Sequence, residues 1–193
     1  MERPRTTRCT AFEGSRRIAS GELAEVALAT KAVVERGERG PVLVFDDETS
    51  EPIELDLRGS PDDVLARLPS SDDDMPPTPR GPGRPRLGVV AREVTLLPRH
   101  WEWLAAQSGG ASVAIRRLVE EARRASEPAD RVRRARDAAY RFMAAVAGNE
   151  PGFEEATRAL FSGDLDRFVA HTAAWPADVR EHARLLASAA LGA

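Results

Sequence analysis

The side chains best suited to chemistry in this chain are Arg84, Arg86, Arg92 and Arg116, together with Ser112. A guanidinium presents a planar fork of N–H donors that matches phosphate and the guanine edge in a bidentate manner. A serine at the start of a helix lies beside free backbone N–H groups, which favour an anion. The chemistry predicted from this set is therefore binding to phosphate and to base edges.

No catalytic constellation accompanies these residues. The sequence has no P-loop, no Rossmann fingerprint and no Ser, His and Asp set, and its three histidines are too scattered to suggest a zinc site. We therefore expect a binding protein that is not an enzyme and that uses no metal, no cofactor and no small-molecule substrate.

Composition restricts the partners and the compartment. The formal net charge is -3, so binding to a polyanion must depend on a local basic surface. The single cysteine, Cys9, excludes a disulfide within the chain, and we expect it to be a small core residue. No apolar run has the length of a signal peptide or a membrane span. The expectation is a cytoplasmic protein with no membrane contact.

Residues 1–68 are predicted to form a small α+β domain with the element order ββαββα. Two short strands flank the turn at Gly14, and a helix follows from an N-cap at Ser20 to about Arg36. Apolar residues recur at helical spacing along one face of that helix, which indicates that this face is buried.

Two strand patterns and one capping signature predict the second half of this domain. Apolar and β-branched residues over 41–47 predict a strand, and apolar residues alternating with acids over 53–59 predict a half-buried one. Ser60 precedes a proline and is followed three residues later by Asp63, which is a capping box for a short helix ending at Pro69.

Two further regions show no chemistry of their own. Residues 69–87 are rich in Pro, Ser, Asp and Gly, which predicts a flexible, disordered linker. Residues 127–193 predict a C-terminal bundle of three or four short helices, with breaks at Gly148 and Gly163.

Residues 88–126 are predicted to form a strand followed by two helices. The β-branched run over 88–97 favours a strand, and Pro98 suits the first turn of a helix. Ser112 is predicted to cap the second helix. Its apolar face has the spacing i, i+3, i+4, i+7 and consists of Ile115, Leu118, Val119 and Ala122.

This order resembles the ribbon-helix-helix unit of MetJ/Arc-type repressors. The run LPxxWxxL over 97–104 is similar to their strand-to-helix junction, and SVAIRRLV over 112–119 is similar to the opening of their second helix. In that family two chains pair their strands into an antiparallel ribbon that enters the major groove of DNA. The resemblance implies a homodimer formed through residues 89–97.

The resemblance also implies roles for single residues. Ser112 and the backbone around Gly110 would contact phosphate, with Arg116 beside them, and Arg92 and Thr95 would meet bases.

The register of the predicted strand stays open. The family's register turns Thr95 and Leu97 toward the core, whereas hydrophobicity turns Val94 and Leu96 there.

The lead-in GRPR at 83–86 resembles the core of an AT-hook, which lies in the narrow minor groove of A·T-rich DNA. Arg84 and Arg86 would then contact DNA. Pro82 stands where that motif usually has a basic residue, and the alternative is a solvated end of the linker.

The chain as a whole is similar to a bacterial family known only as domain of unknown function 2239. The runs TAFEG at 10–14, REVTLLPRHWEWLAAQ at 92–107 and WPADVR at 175–180 carry this resemblance, which implies no activity. Two functional hypotheses follow from the residues. One is a dimeric DNA-binding transcriptional regulator, and the other is a non-catalytic dimerisation or protein-interaction module that does not bind DNA.

Overall fold

The computed structural model describes residues 6–69, 90 and 92–191. The predicted linker and the AT-hook-like segment with Arg84 and Arg86 lie almost wholly outside these residues. The chain divides into two compact units: Met1–Pro76 with Arg131–Ala193, and Pro77–Asp130. We call them the first and the second unit and describe each by itself. The architecture is α+β and mostly helical, as predicted, with three strands and seven helices among the described residues.

The first unit contains an antiparallel sheet with strand order β2-β1-β3. The central strand β1 (Arg8–Glu13) pairs with β2 (Arg16–Glu22) across a hairpin and with β3 (Val42–Asp46) on its other side. Gly14 has a φ of 56° in the hairpin turn, a conformation that favours glycine. These three strands confirm the sequence prediction.

Helix α1 (Leu23–Glu35) covers one face of the sheet. Cys9 and Ala11 are fully buried against it, which confirms that the lone thiol is a core residue. The predicted N-cap at Ser20 is wrong because β2 continues to Glu22. The Ser20 hydroxyl instead lies 2.9 Å from the hydroxyl of Thr10 on the neighbouring strand.

The predicted strand over 53–59 is not formed, so the observed order is ββαβα. Pro52 makes one isolated bridge with Phe45, and Ile53 donates its N–H to the Val44 carbonyl at 2.8 Å. Beyond Ile53 the chain has no strand partner among the described residues. Lys31 donates to the Leu57 carbonyl at 3.1 Å, so side chains replace a β ladder at the end of this segment.

Helix α2 (Pro61–Arg67) begins with the capping box that the sequence predicts. The Asp63 N–H donates to the Ser60 hydroxyl at 3.2 Å, and the Ser60 N–H donates to the Asp63 carboxylate at 2.8 Å. Because Pro61 has no N–H, this helix end has three unpaired donors, and two of them are thereby satisfied.

Five helices make up the rest of the described chain. They are α3 (Pro98–Ala105), α4 (Gly110–Val146), α5 (Phe153–Ser162), α6 (Leu165–His171) and α7 (Ala177–Leu191). The predicted break between two helices near residue 127 is wrong, because α4 continues through Pro128. A proline removes one backbone hydrogen bond, and the Ala-, Glu- and Arg-rich stretches on both sides favour the helix enough to bridge it.

A single aromatic core joins the N-terminal sheet to the C-terminal helices. Phe12 from β1 and Phe45 from β3 both contact Phe142 from α4, with ring centroids 5.2 and 5.4 Å apart. Trp175 closes the helical side of this core and donates its indole N–H to the Pro151 carbonyl at 2.9 Å. Residues from the predicted 1–68 and 127–193 regions therefore belong to one compact unit.

Glu13, at the end of β1, makes hydrogen bonds to the residues that follow α1. Its buried carboxylate accepts hydrogen bonds from the guanidinium groups of Arg16 and Arg36 and from the backbone N–H of Arg39. The hydrogen bond from Arg16 is the main cause that holds the pKa of Glu13 below its ordinary value.

His182 lies in the aromatic core and should make the first unit sensitive to acid. Burial lowers the pKa of His182 from its ordinary 6.5, while Asp47 opposes that shift. The unfolded chain then binds a proton more readily than the folded chain does, so the free energy of unfolding falls as the pH drops below 6.5. We expect His182→Gln to remove this part of the pH dependence, measured by urea unfolding between about pH 7.5 and 5.5.

His100→Gln is the matched control, since His100 is exposed on α3. An unchanged pH profile in His182→Gln would contradict the assignment.

Candidate nucleic-acid interface

The segment before α3 is not a strand in the single chain. Residues 92–97 pair with no strand in the described part of the molecule, although β-branched residues are frequent there. Leu97 is the N-cap of α3, its carbonyl accepts from the His100 N–H at 2.8 Å, and Pro98 occupies the first turn as predicted. A strand needs a neighbour for its backbone groups, and sequence pattern alone does not supply one.

Both predicted base-contacting residues on this segment are exposed. Arg92 and Thr95 face solvent, and so does Val94 at 56% exposure. Only Leu96 is half-buried, so neither of the two registers is selected.

The start of α4 is set by two glycines with positive φ. Gly109 and Gly110 have φ angles of 85° and 74°, and the Gly110 N–H donates to the Gln107 carbonyl at 2.9 Å. The helix begins at Gly110, so Ser112 lies within its first turn. The prediction that Ser112 caps the helix is therefore wrong. The first turn contains no acidic residue, which leaves the positive end of the helix dipole uncompensated there.

The structure brings three of the predicted site residues together. Gly110, Ser112 and Arg116 lie within the first two turns of α4, and the Arg116 guanidinium donates to the Ser112 carbonyl at 3.0 Å. Arg116 makes no ion pair with another residue among those described, so its remaining donors face solvent.

The next three arginines along α4 are already engaged by acids. Glu120 receives hydrogen bonds from both Arg123 and Arg124, and Arg117 lies 3.8 Å from Glu121. The hydrogen bond from Arg123 is the main cause that lowers the pKa of Glu120. Among the arginines of residues 110–130, Arg116 is therefore the one that makes no contact with an acid.

Exposed apolar side chains are concentrated in the second unit. Leu104 and Ala114 are its buried hydrophobic residues among those described, whereas eight larger ones are exposed: Val90, Val94, Leu97, Trp101, Trp103, Val113, Leu118 and Val119. Trp101, the tryptophan of the LPxxWxxL run, is 42% exposed in the single chain. The helical spacing in the sequence correctly identifies an apolar face, but no part of the described unit covers it.

The described residues contain no cluster of three His, Cys, Asp or Glu side chains that could hold a metal ion. They also contain no helix that is both long and apolar enough to cross a bilayer.

The described residues have an α+β fold, with a three-stranded sheet and seven helices. The chain belongs to domain of unknown function 2239, described as an uncharacterised protein conserved in bacteria, whose family model matches residues 8–187. This confirms the family resemblance drawn from the sequence. No curated protein and no solved structure matches the chain significantly.

Gly110 should be required for its backbone conformation alone. A Cβ at this position would meet no atom within 4 Å, so a substitution acts only through the φ of 74°. We expect Gly110→Ala to lower the free energy of unfolding of the segment by about 1 kcal/mol and Gly110→Asn by less, because asparagine tolerates this conformation. Urea unfolding followed by the fluorescence of Trp101 and Trp103 measures both. Equal losses in the two variants would contradict the backbone explanation.

Proposed function

We propose that the protein is a DNA-binding homodimer that acts as a transcriptional regulator. Two chains would pair residues 89–97 into an antiparallel ribbon. The first turn of α4, with Gly110, Ser112 and Arg116, would contact phosphate, and Arg92 and Thr95 would lie on the side of the bases. The observation that supports this dimer most strongly is the apolar surface that the second unit leaves exposed.

The exposed apolar side chains favour binding of a second chain because several of them lie on one face of a helix. On α4, Ile115, Leu118 and Val119 lie on one face at helical spacing, and Leu118 and Val119 are 40 and 59% exposed. Monomeric proteins seldom leave a contiguous apolar patch of this kind in water. A second copy would cover it and also supply the strand partner that residues 92–97 lack.

The distribution of charge supports contact with phosphate at one place. The chain is acidic as a whole, but residues 77–130 contain nine arginines against six acids. Within residues 110–130, Arg116 makes no contact with an acid, and it lies in the first two turns of α4 beside backbone N–H groups at the positive end of the helix dipole. Phosphate oxygens are the acceptors that this combination fits best.

A second candidate function is a dimeric interaction module that does not bind DNA. The ion pairs of Glu120 and Glu121 with three arginines favour it, because they remove positive charge from the middle of α4. The two candidates share the dimer and differ only in DNA binding.

Dimerisation should depend on the exposed face of α4. Val119→Ser removes a side chain worth about 1.5 kcal/mol per chain when buried, so the dissociation constant of the dimer should rise roughly a hundredfold. Leu185→Ser is the matched control, since Leu185 is 63% exposed on α7 and should leave the constant unchanged. Sedimentation velocity measures both.

The ribbon is tested separately with Val94→Pro, which removes one backbone donor from the pairing. A folded Val94→Pro variant that dimerises like the wild type would exclude the ribbon.

DNA binding should be salt-dependent and should require Arg116. The logarithm of the affinity for a random duplex is expected to fall linearly between about 50 and 200 mM salt. In Arg116→Ala the plot of log affinity against log salt concentration should become less steep by about two. Each chain of the dimer would lose one phosphate contact, and each contact contributes about one to the steepness. Fluorescence anisotropy measures this, with Arg158→Ala as the control, because Arg158 pairs with Glu155 on α5.

A dimer that binds neither random nor A·T-rich duplex at low salt would contradict the proposal and leave the interaction module.

A further inference from the structure

Residues 53–57 of the first unit form a segment with the pattern of a strand and without a second strand beside it. Their burial alternates, with Ile53, Leu55 and Leu57 half-buried and Glu54 and Asp56 exposed. Ile53 and Leu55 pack against the buried cluster below α1. Only the start of the segment follows β3, through the bridge at Pro52.

The backbone of this segment has unused hydrogen-bonding groups. Within the described part of the chain, the N–H groups of residues 54–57 donate no hydrogen bond and the carbonyls of residues 53–55 accept none. The carbonyls of Asp56 and Leu57 are occupied, by Arg67 and Lys31 respectively. The open stretch is therefore short, and it follows directly on the isolated bridge between Pro52 and the edge strand β3. Unpaired backbone groups beside a sheet edge are the usual template for adding another strand.

A groove of about 610 Å³ runs beside the same stretch. Residues 51–56 line one side of it, α2 contributes Val64 and Arg67 to the other, and Leu23 and Leu68 add apolar surface. A strand placed in this groove would meet free backbone groups along its edge and apolar surface for alternate side chains.

Charge decides what kind of strand would fit. The negative charge of Asp56 is balanced by ion pairs with Arg58 and Arg67. These arginines hold the pKa of the Asp56 carboxyl well below its usual range, and the hydrogen bond from Arg58 is the main cause. Glu54 makes no ion pair with any other described residue and is exposed at the rim. Its carboxylate therefore favours a basic side chain opposite it.

A second copy of the same segment is disfavoured. Antiparallel self-pairing centred on Glu54 would place the two unpaired Glu54 carboxylates opposite each other, and like charges in directly opposed positions are destabilising.

We propose that residues 53–57 and the groove beside them form a docking site for an extended peptide segment of another protein, in which apolar and basic residues alternate. The peptide adds a strand to the free edge beyond β3, its apolar side chains enter the groove, and a lysine or arginine pairs with Glu54. This site belongs to the first unit and is independent of the proposed DNA-binding surface.

The test is an NMR titration of the full-length, isotope-labelled protein with the heptapeptide Lys-Val-Lys-Val-Lys-Val-Lys. We expect shifts of the amides of residues 53–57 and their protection from hydrogen exchange. The Glu-Val counterpart should bind more weakly. A version of the lysine peptide N-methylated at alternate backbone nitrogens should not bind, because it cannot complete the ladder.

Charge reversal provides the matched variants. Glu54→Lys should weaken the lysine peptide by roughly tenfold, because a favourable cross-strand pair becomes a repulsive one. Glu38→Lys, which reverses an exposed acid without an ion pair in the described region, should leave the affinity unchanged.

Absence of shifts at residues 53–57 at millimolar peptide overturns the proposal. Equal binding of the N-methylated peptide also overturns it and indicates a side-chain cleft instead of strand addition.

Discussion

The contact of Phe12 with Phe142 is the interaction on which the first unit depends. It joins the central strand of a three-stranded sheet to a helix more than a hundred residues later in the chain. His182 packs on the rings of both Phe12 and Phe142, and Phe45 packs on Phe142. The sheet, α4 and α7 therefore contact one another at this cluster of rings. A three-stranded sheet with a single helix has little apolar surface of its own to bury. The C-terminal helices supply the missing layer and make the unit stable.

The second unit shows the opposite condition. Its described residues form two helices with a regular apolar face, yet they leave most of that face exposed. Local signals are sufficient to define α3 and the start of α4, because Pro98 and the Gly109-Gly110 pair act on the backbone directly. Burial requires a second surface. The first unit therefore buries its apolar residues in a core, whereas the second leaves most of them exposed. This difference is the basis for proposing a dimer.

Much of the fold was predictable wherever a short-range rule governs it. The hairpin at Gly14, the capping box at Ser60 and Pro98 in the first turn of α3 were all predicted correctly, since each depends on a few neighbouring residues. The errors fall where distant partners decide. Residues 53–59 have the alternation of a strand but no strand partner beyond Ile53 among the described residues, and α4 passes Pro128 because its flanks are strongly helical. Of the candidate site, the sequence identified the Gly110, Ser112 and Arg116 group, while the ion pairs that engage the later arginines emerged only from the structure.

By itself the sequence determined the α+β class and the positions of most helix starts, because these follow from residue spacing and backbone preference. It also determined the family, through direct similarity to the family's sequences. Only the tertiary structure decided that the two ends of the chain share one aromatic core, that Trp101 and Val119 remain in solvent, and that residues 53–57 end as an open edge. The reason is that burial and strand pairing are relations between distant segments. A pattern of apolar residues shows which face of an element is stabilised by burial, whereas the fold determines whether the chain itself buries that face.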